Sequence, residues 1–99
     1  MRRYTTPTLE LVVEGVDLTA MSVWVTIEQH RRKVTIDQPD TDCDGEDTTI
    51  LVPLSQEQTS AMKVGSARVQ VNWTDGHGYR NATEIATVDV EENLLQEVL

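Results

Sequence analysis

From Ser66 to Val90 the chain reads SARVQVNWTDGHGYRNATEIATVDV, and its apolar residues recur at every second position. Ala67, Val69, Val71 and Trp73 alternate with Arg68, Gln70, Asn72 and Thr74. A period of two marks a strand that is buried on one face and wet on the other. Asp75-Gly76 follows, a pair suited to the positive φ of tight hairpin turns. Gly78 comes soon after, so the loop is expected to run wider than two residues. Ala86, Val88 and Val90 then restore the inward register, with regular alternation from about Glu84. The stretch predicts a β-hairpin whose inward face is core and whose Asp-Gly turn is geometry. The rest of the chain must supply shorter strands to lie beside it.

Those strands are visible. Leu9, Leu11 and Val13 alternate with Thr8, Glu10 and Glu14, and Gly15 with Val16 to Thr19 then turns the chain. Ser22 to Gln29 sets Val23, Val25 and Ile27 on one face and Trp24, Thr26 and Glu28 on the other. His30-Arg31-Arg32 reads as a polar reversal, and Lys33 to Asp37 as a return strand carrying Val34 and Ile36. Thr48 to Leu54 carries Ile50, Val52 and Leu54, with Pro53 placing its end at an edge or outside the ladder. Ser55-Gln56-Glu57-Gln58 has the form of a capping box, which predicts a short helix to about Met62, ended by Gly65. Residues 1–7 form a flexible or edge-docking lead, and 91–99 an apolar C-terminal tail.

Short strands with turn signals every eight to twelve residues or so predict an all-β chain with an immunoglobulin-like β-sandwich layout. About six to seven antiparallel strands and one helical turn are expected, in a single domain over residues 1–99. The Cys–Trp–Cys pattern of true immunoglobulin domains is missing, so the expectation is of architecture and not ancestry.

Composition excludes several classes of function. Seventeen acidic residues against 8 basic ones give a net charge of −9, which argues against a nucleic-acid partner. No run approaches the roughly 18 apolar residues of a membrane span, so no membrane partner is expected. MRRYTTPTLE has no apolar core, and no secretory signal is expected. The single Cys43 has no internal disulfide partner.

Two groups of residues are candidates for function. The acidic stretch DQPDTDCDGED, residues 37–47, is expected to be a loop. Its Asp40, Asp42, Asp44 and Gly45 match the opening D-x-D-x-D-G of a calcium loop. The closing Glu would fall at Leu51, leaving Glu46 or Asp47 to substitute. This supports an alternative reading as a calcium- or carbohydrate-binding module, with Trp24, Trp73 or Tyr79 as an aromatic platform. The bland reading, a solvated loop without a metal or other cofactor, is preferred. His30 and His77 stand in separate turns, Cys43 lies among carboxylates that raise a thiol's pKa, and Ser55 is a helix cap. No nucleophile–base pair results, and the chain is not expected to be an enzyme.

The second group is apolar and faces the wrong way. By alternation Val12, Trp24, Leu51 and Ile85 oppose the inward sets of their strands. The tail EENLLQEVL adds Leu94, Leu95, Val98 and Leu99. If these residues lie together they form an interaction surface. The basic turn His30-Arg31-Arg32-Lys33 is a solvated turn or a rim contact for an acidic patch on another subunit.

The order of features resembles small β-sandwich proteins of tailed-phage and prophage tail or baseplate modules, as in the N-terminal domain of upper baseplate proteins. The residues that carry it are Asp17-Leu18-Thr19 before Val23-Trp24-Val25-Thr26-Ile27, then Leu54-Ser55-Gln56-Glu57-Gln58-Thr59 and Gly65. The strand Ala67 to Trp73, Asp75-Gly76 and Ile85-Ala86-Thr87-Val88-Asp89-Val90 complete it. The resemblance implies a non-enzymatic virion structural protein. Its partners would be other phage structural proteins or further copies of itself, in the virion or in the host cytoplasm during assembly.

Overall fold

A computed structural model describes residues 1–94; Leu95, Val98 and Leu99 lie outside the described residues. Eight strands and one short helix run in the order β1 (Thr8–Val13), β2 (Ser22–Gln29), β3 (Arg32–Asp37), β4 (Asp40–Asp44), β5 (Asp47–Pro53), α1 (Gln56–Ser60), β6 (Gly65–Thr74), β7 (Arg80–Ala82) and β8 (Ala86–Val90). Two antiparallel sheets form the expected sandwich. One is three-stranded, β1-β5-β4; the other is β3-β2-β6, with β7 and β8 both paired to the far side of β6. This is the immunoglobulin order: β1, β5 and β4 stand as B, E and D, and β3, β2, β6 and β7–β8 as C′, C, F and G. Among the described residues no strand takes the A position beside β1.

The alternation read from the sequence builds the core. Val23, Val25 and Ile27 of β2 and Ala67, Val69 and Val71 of β6 are buried against Ile50 and Val52 of β5. Leu18, Leu54, Met62 and Val90 close the ends. Each such side chain contributes about 1.5–3 kcal/mol of burial, Ala67 less. Trp73 packs half-buried on the core's rim, as its inward register requires.

Buried polar side chains tie the connections down. Thr48, fully buried, accepts from Leu18 N–H and donates to Val16 C=O, holding the 15–19 turn on β5. Thr59 accepts from Thr5 N–H and donates to Thr5 C=O, and Arg3 donates to Ser60 C=O. Arg3 N–H also donates to Glu91 C=O, and Arg2 pairs with Glu91 at 2.9 Å. The lead is therefore docked on an edge rather than flexible. Its partners are remote in sequence, which is why composition alone left both options open.

The capping box is present: Ser55 Oγ accepts from Gln58 N–H, and Gln58 Oε1 accepts from Ser55 N–H. The helix stops earlier than expected, at Ser60, with Ala61 as its C-cap in ordinary right-handed geometry. Gly65 does not end it; it opens β6. Pro53 lies beyond the β4–β5 pairing, since β4 begins only opposite Leu51. Leu54 N–H points to β1, where it meets Pro7 C=O, so the nitrogen of Pro53 points to that empty side and no ladder bond is lost.

Two expectations about the turns are corrected. The acidic stretch is not a loop: Asp40–Asp44 is strand β4, joined to β5 through Gly45 and Glu46, with Gly45 at φ 68°. The Asp75 loop does run wide, over 75–79, but its positive φ falls at Gly78 (83°) and not at Gly76. Asp75 itself shapes it, its Oδ1 accepting from His77 and Tyr79 N–H.

The return arm of the main hairpin is split by a β-bulge. Asn72 pairs with Ala82, and Val69 with Ala86. Between these pairs β6 spends two residues and the return arm three, Thr83, Glu84 and Ile85. One extra residue shifts the register and turns Ile85 outward. With β4, this split raises the strand count above six to seven.

Candidate functional site

Cross-strand partners share a face, so the registers fix where each candidate side chain points. On the three-stranded sheet Val12 opposes Thr49, and Leu51 lies between Glu10 and Asp40. Val12 and Leu51 are therefore diagonal neighbours on the outer face, about 7–8 Å apart. They are 56% and 39% exposed. Asp42 opposes Thr49 and Asp44 opposes Asp47, so this face presents two aliphatic side chains framed by carboxylates.

Trp24 and Ile85 do not join them. Trp24 lies between Asp37 and Asn72 on the outer face of the other sheet and is half-buried there. Ile85, 48% exposed, is on the same face beyond β6, beside Gln70 and Arg68. Leu94 is 96% exposed, and Leu95 falls outside the described residues. The outward assignments thus divide between the two opposite faces of the sandwich and do not form one surface. Alternation shows that a residue faces out; only the strand order shows on which sheet.

Around Trp24 and Ile85 the surface is polar. Glu28 lies between Lys33 at 3.6 Å and Arg68 at 3.0 Å. The basic turn is thereby partly neutralised. His30 and Arg31 are its two loop residues, at φ 48° and 67°, as a type I′ hairpin needs.

Asp40, Asp42 and Asp44 are the exposed side of a straight strand. Alternate residues there stand about 6.8 Å apart and cannot wrap a cation as a calcium loop does. Among the described residues no group of three or more His, Cys, Asp or Glu is placed to hold a metal. Trp73 is on the core side, Trp24 on the opposite outer face, and Tyr79 in the 75–79 loop. The acidic stretch and the aromatic residues therefore do not share a surface.

Cys43 turns inward opposite Thr48 and donates to Gly45 C=O. Partial burial, and then the Asp17 carboxylate, push its thiol up from its ordinary value. The carboxylate responsible is Asp17 first, since Asp42 and Asp44 face away. Asp17 itself accepts from Thr19 Oγ1 at 2.6 Å and Thr19 N–H at 3.0 Å, which holds its carboxyl below the ordinary value.

A feature the sequence did not disclose lies on the side of the sandwich where β1 and the bulged arm are both edges. There a cleft of ≈ 600 Å³ runs between the sheets, lined by Leu11, Val13, Val71, Trp73 and Ala86, with Glu14 and Glu84 on it. Its apolar lining belongs to strands whose inward residues were legible. The missing signal was that, among the described residues, no further strand lies beside β1 to close the cleft.

No helix among the described residues is long and apolar enough to cross a membrane. Compared with known protein families, with curated proteins and with solved structures, the chain matches none.

Proposed function

We propose that this chain is a non-enzymatic structural subunit of a tailed-phage or prophage tail or baseplate module, acting through protein–protein contacts. Its place of action is the virion, or the host cytoplasm during assembly. The observation that carries the contact reading is that Val12 and Leu51, both exposed, are diagonal neighbours on the outer face of the three-stranded sheet. Covering two neighbouring aliphatic side chains while leaving a charged rim in water is how a contact patch gains affinity and orientation. The phage assignment is supported by the order of sequence motifs from Asp17 to Val90. Partners are other structural proteins of the particle or further copies of the chain. The carboxylates of the same face disfavour a phosphate backbone.

Quantitative mass spectrometry of purified particles from the host that carries the gene tests this reading. The chain should be present in fixed proportion to the tail proteins. Particles that assemble normally and lack it would overturn the proposal.

A further inference from the structure

We infer that the free edge of β1 accepts an extended strand from another protein, one that alternates apolar with basic residues. This specifies a contact of the kind proposed above, and it rests on that reading of the chain as a contact-making subunit.

The backbone geometry comes first. Leu54 N–H reaches Pro7 C=O at 2.9 Å, so Pro7, and by alternation Leu9, Leu11 and Val13, turn their backbone groups toward β5. Thr8, Glu10 and Val12 then turn their N–H and C=O groups away from the sheet, where no strand among the described residues takes the A position. An unpaired row of this kind is a template for a further strand. The other edges are blunted. Arg32 and Lys33 stand on β3, three aspartates on β4, and the bulge interrupts β7–β8.

The cleft lies beside this edge. An added strand would point alternate side chains into it, against Leu11, Val13, Val71, Trp73 and Ala86. Those side chains must be apolar. The intervening ones would lie on the outer face beside Glu10, Val12 and the acidic strands beyond, with Glu14 and Glu84 at the cleft. No Lys or Arg lines it. Opposite charge across neighbouring strands is favourable and like charge is not. A second copy is the poorer occupant, because antiparallel pairing of two β1 strands sets Glu10 and Glu14 of each among those of the other. Each copy also carries a net charge of −9.

The test uses the full chain, ¹⁵N-labelled, titrated at physiological salt with capped peptides of alternating Val and Lys or alternating Val and Glu. The Val/Lys peptide should perturb and protect the amides of Thr8, Glu10 and Val12, and the Val/Glu peptide should not bind. Val12→Pro deletes one outward N–H without touching the β1–β5 ladder, and should weaken Val/Lys binding roughly tenfold or more. Glu10→Lys with Glu14→Lys provides a second variant that keeps the backbone, and it should reverse the preference between the peptides. Val/Lys binding only elsewhere, equal binding of both peptides, or undiminished binding to Val12→Pro would each overturn the inference. So would a concentration-dependent dimer of the free chain that Val12→Pro dissolves, since that gives the edge to a second copy. A failure here leaves incorporation into particles intact, whereas absence from particles removes the phage reading and leaves the peptide result standing.

Discussion

Thr83 holds Val71 twice: its N–H donates to Val71 C=O at 2.9 Å, and its Oγ1 accepts from Val71 N–H at 3.1 Å. The second bond is a side chain taking the place of a ladder carbonyl. At a bulge the extra residue takes one strand out of step, and a backbone donor on the partner loses its acceptor. Here the hydroxyl supplies it, and Gln70 Nε2 donates to Thr83 C=O to complete the join. The Val71 side chain is buried, and its N–H bond to Thr83 is part-buried at the cleft that both residues line.

Thr83→Val should therefore destabilise the chain by about 1 kcal/mol, the net contribution of one hydrogen bond at a part-buried donor. Thr83→Ser keeps the oxygen and should recover most of that loss. Urea unfolding of the two variants checks it, and equal stability of Val and Ser at this position would contradict the role given to the hydroxyl.

Thr48 makes a stronger case, because it is fully buried and serves both Leu18 N–H and Val16 C=O. Thr48→Val conserves shape and orphans both groups. A loss of about 2–4 kcal/mol follows, most of it from the buried Leu18 N–H, since the bond to Val16 C=O is only part-buried. Loss of amide protection at Leu18 in hydrogen exchange should accompany it, localised to the 15–19 turn.

The His30-Arg31 reversal places both residues at positive φ, a conformation that disfavours side chains other than Asn, Asp, His and Gly, so the strain falls mainly on Arg31. Replacing them with Asn-Gly should raise stability by about 1 kcal/mol without altering the β2–β3 register. A fall in the thermal midpoint would show instead that contacts of the native side chains outweigh the strain.

Asp17 gives the acid limb of the stability curve a specific contributor. Its folded carboxyl is held below its ordinary value by the Thr19 hydrogen bonds. A depressed carboxyl stabilises the fold above the unfolded-state value, and that contribution disappears as pH falls through the lower, folded value. Asp17→Asn should make stability less dependent on pH in that acidic window and leave the slope near neutrality unchanged. Urea midpoints across the acid range measure it; an unaltered slope in the variant contradicts the assignment.

The fold was legible in the sequence because its core strands obey a period of two, and β2 and β6 carry unbroken apolar sets. The capping box at Ser55 was legible for the same reason: both of its hydrogen bonds are local. What remained hidden depends on partners remote in sequence. Asp40–Asp44 is polar at every position but Cys43, so no alternation marks it as a strand; β5 makes it one by pairing. Asn81 shares the inward face of Trp73, and only the one-residue insertion at 83–85 returns Ile85 to the outside. Val12, Leu51, Trp24 and Ile85 were all read as outward, yet strand order alone divides them between two faces. The cleft beside β1 is open because no strand among the described residues lies there, which no single residue can announce.

The most direct test of the contact reading is the variant Val12→Asp with Leu51→Asp, carried in the gene and followed into particles. Both side chains are exposed, so circular dichroism should show an unchanged fold. The wild-type chain should be present in purified particles and the double variant lost from them. A correctly folded double variant incorporated as fully as wild type would contradict the assignment of this face as the contact surface.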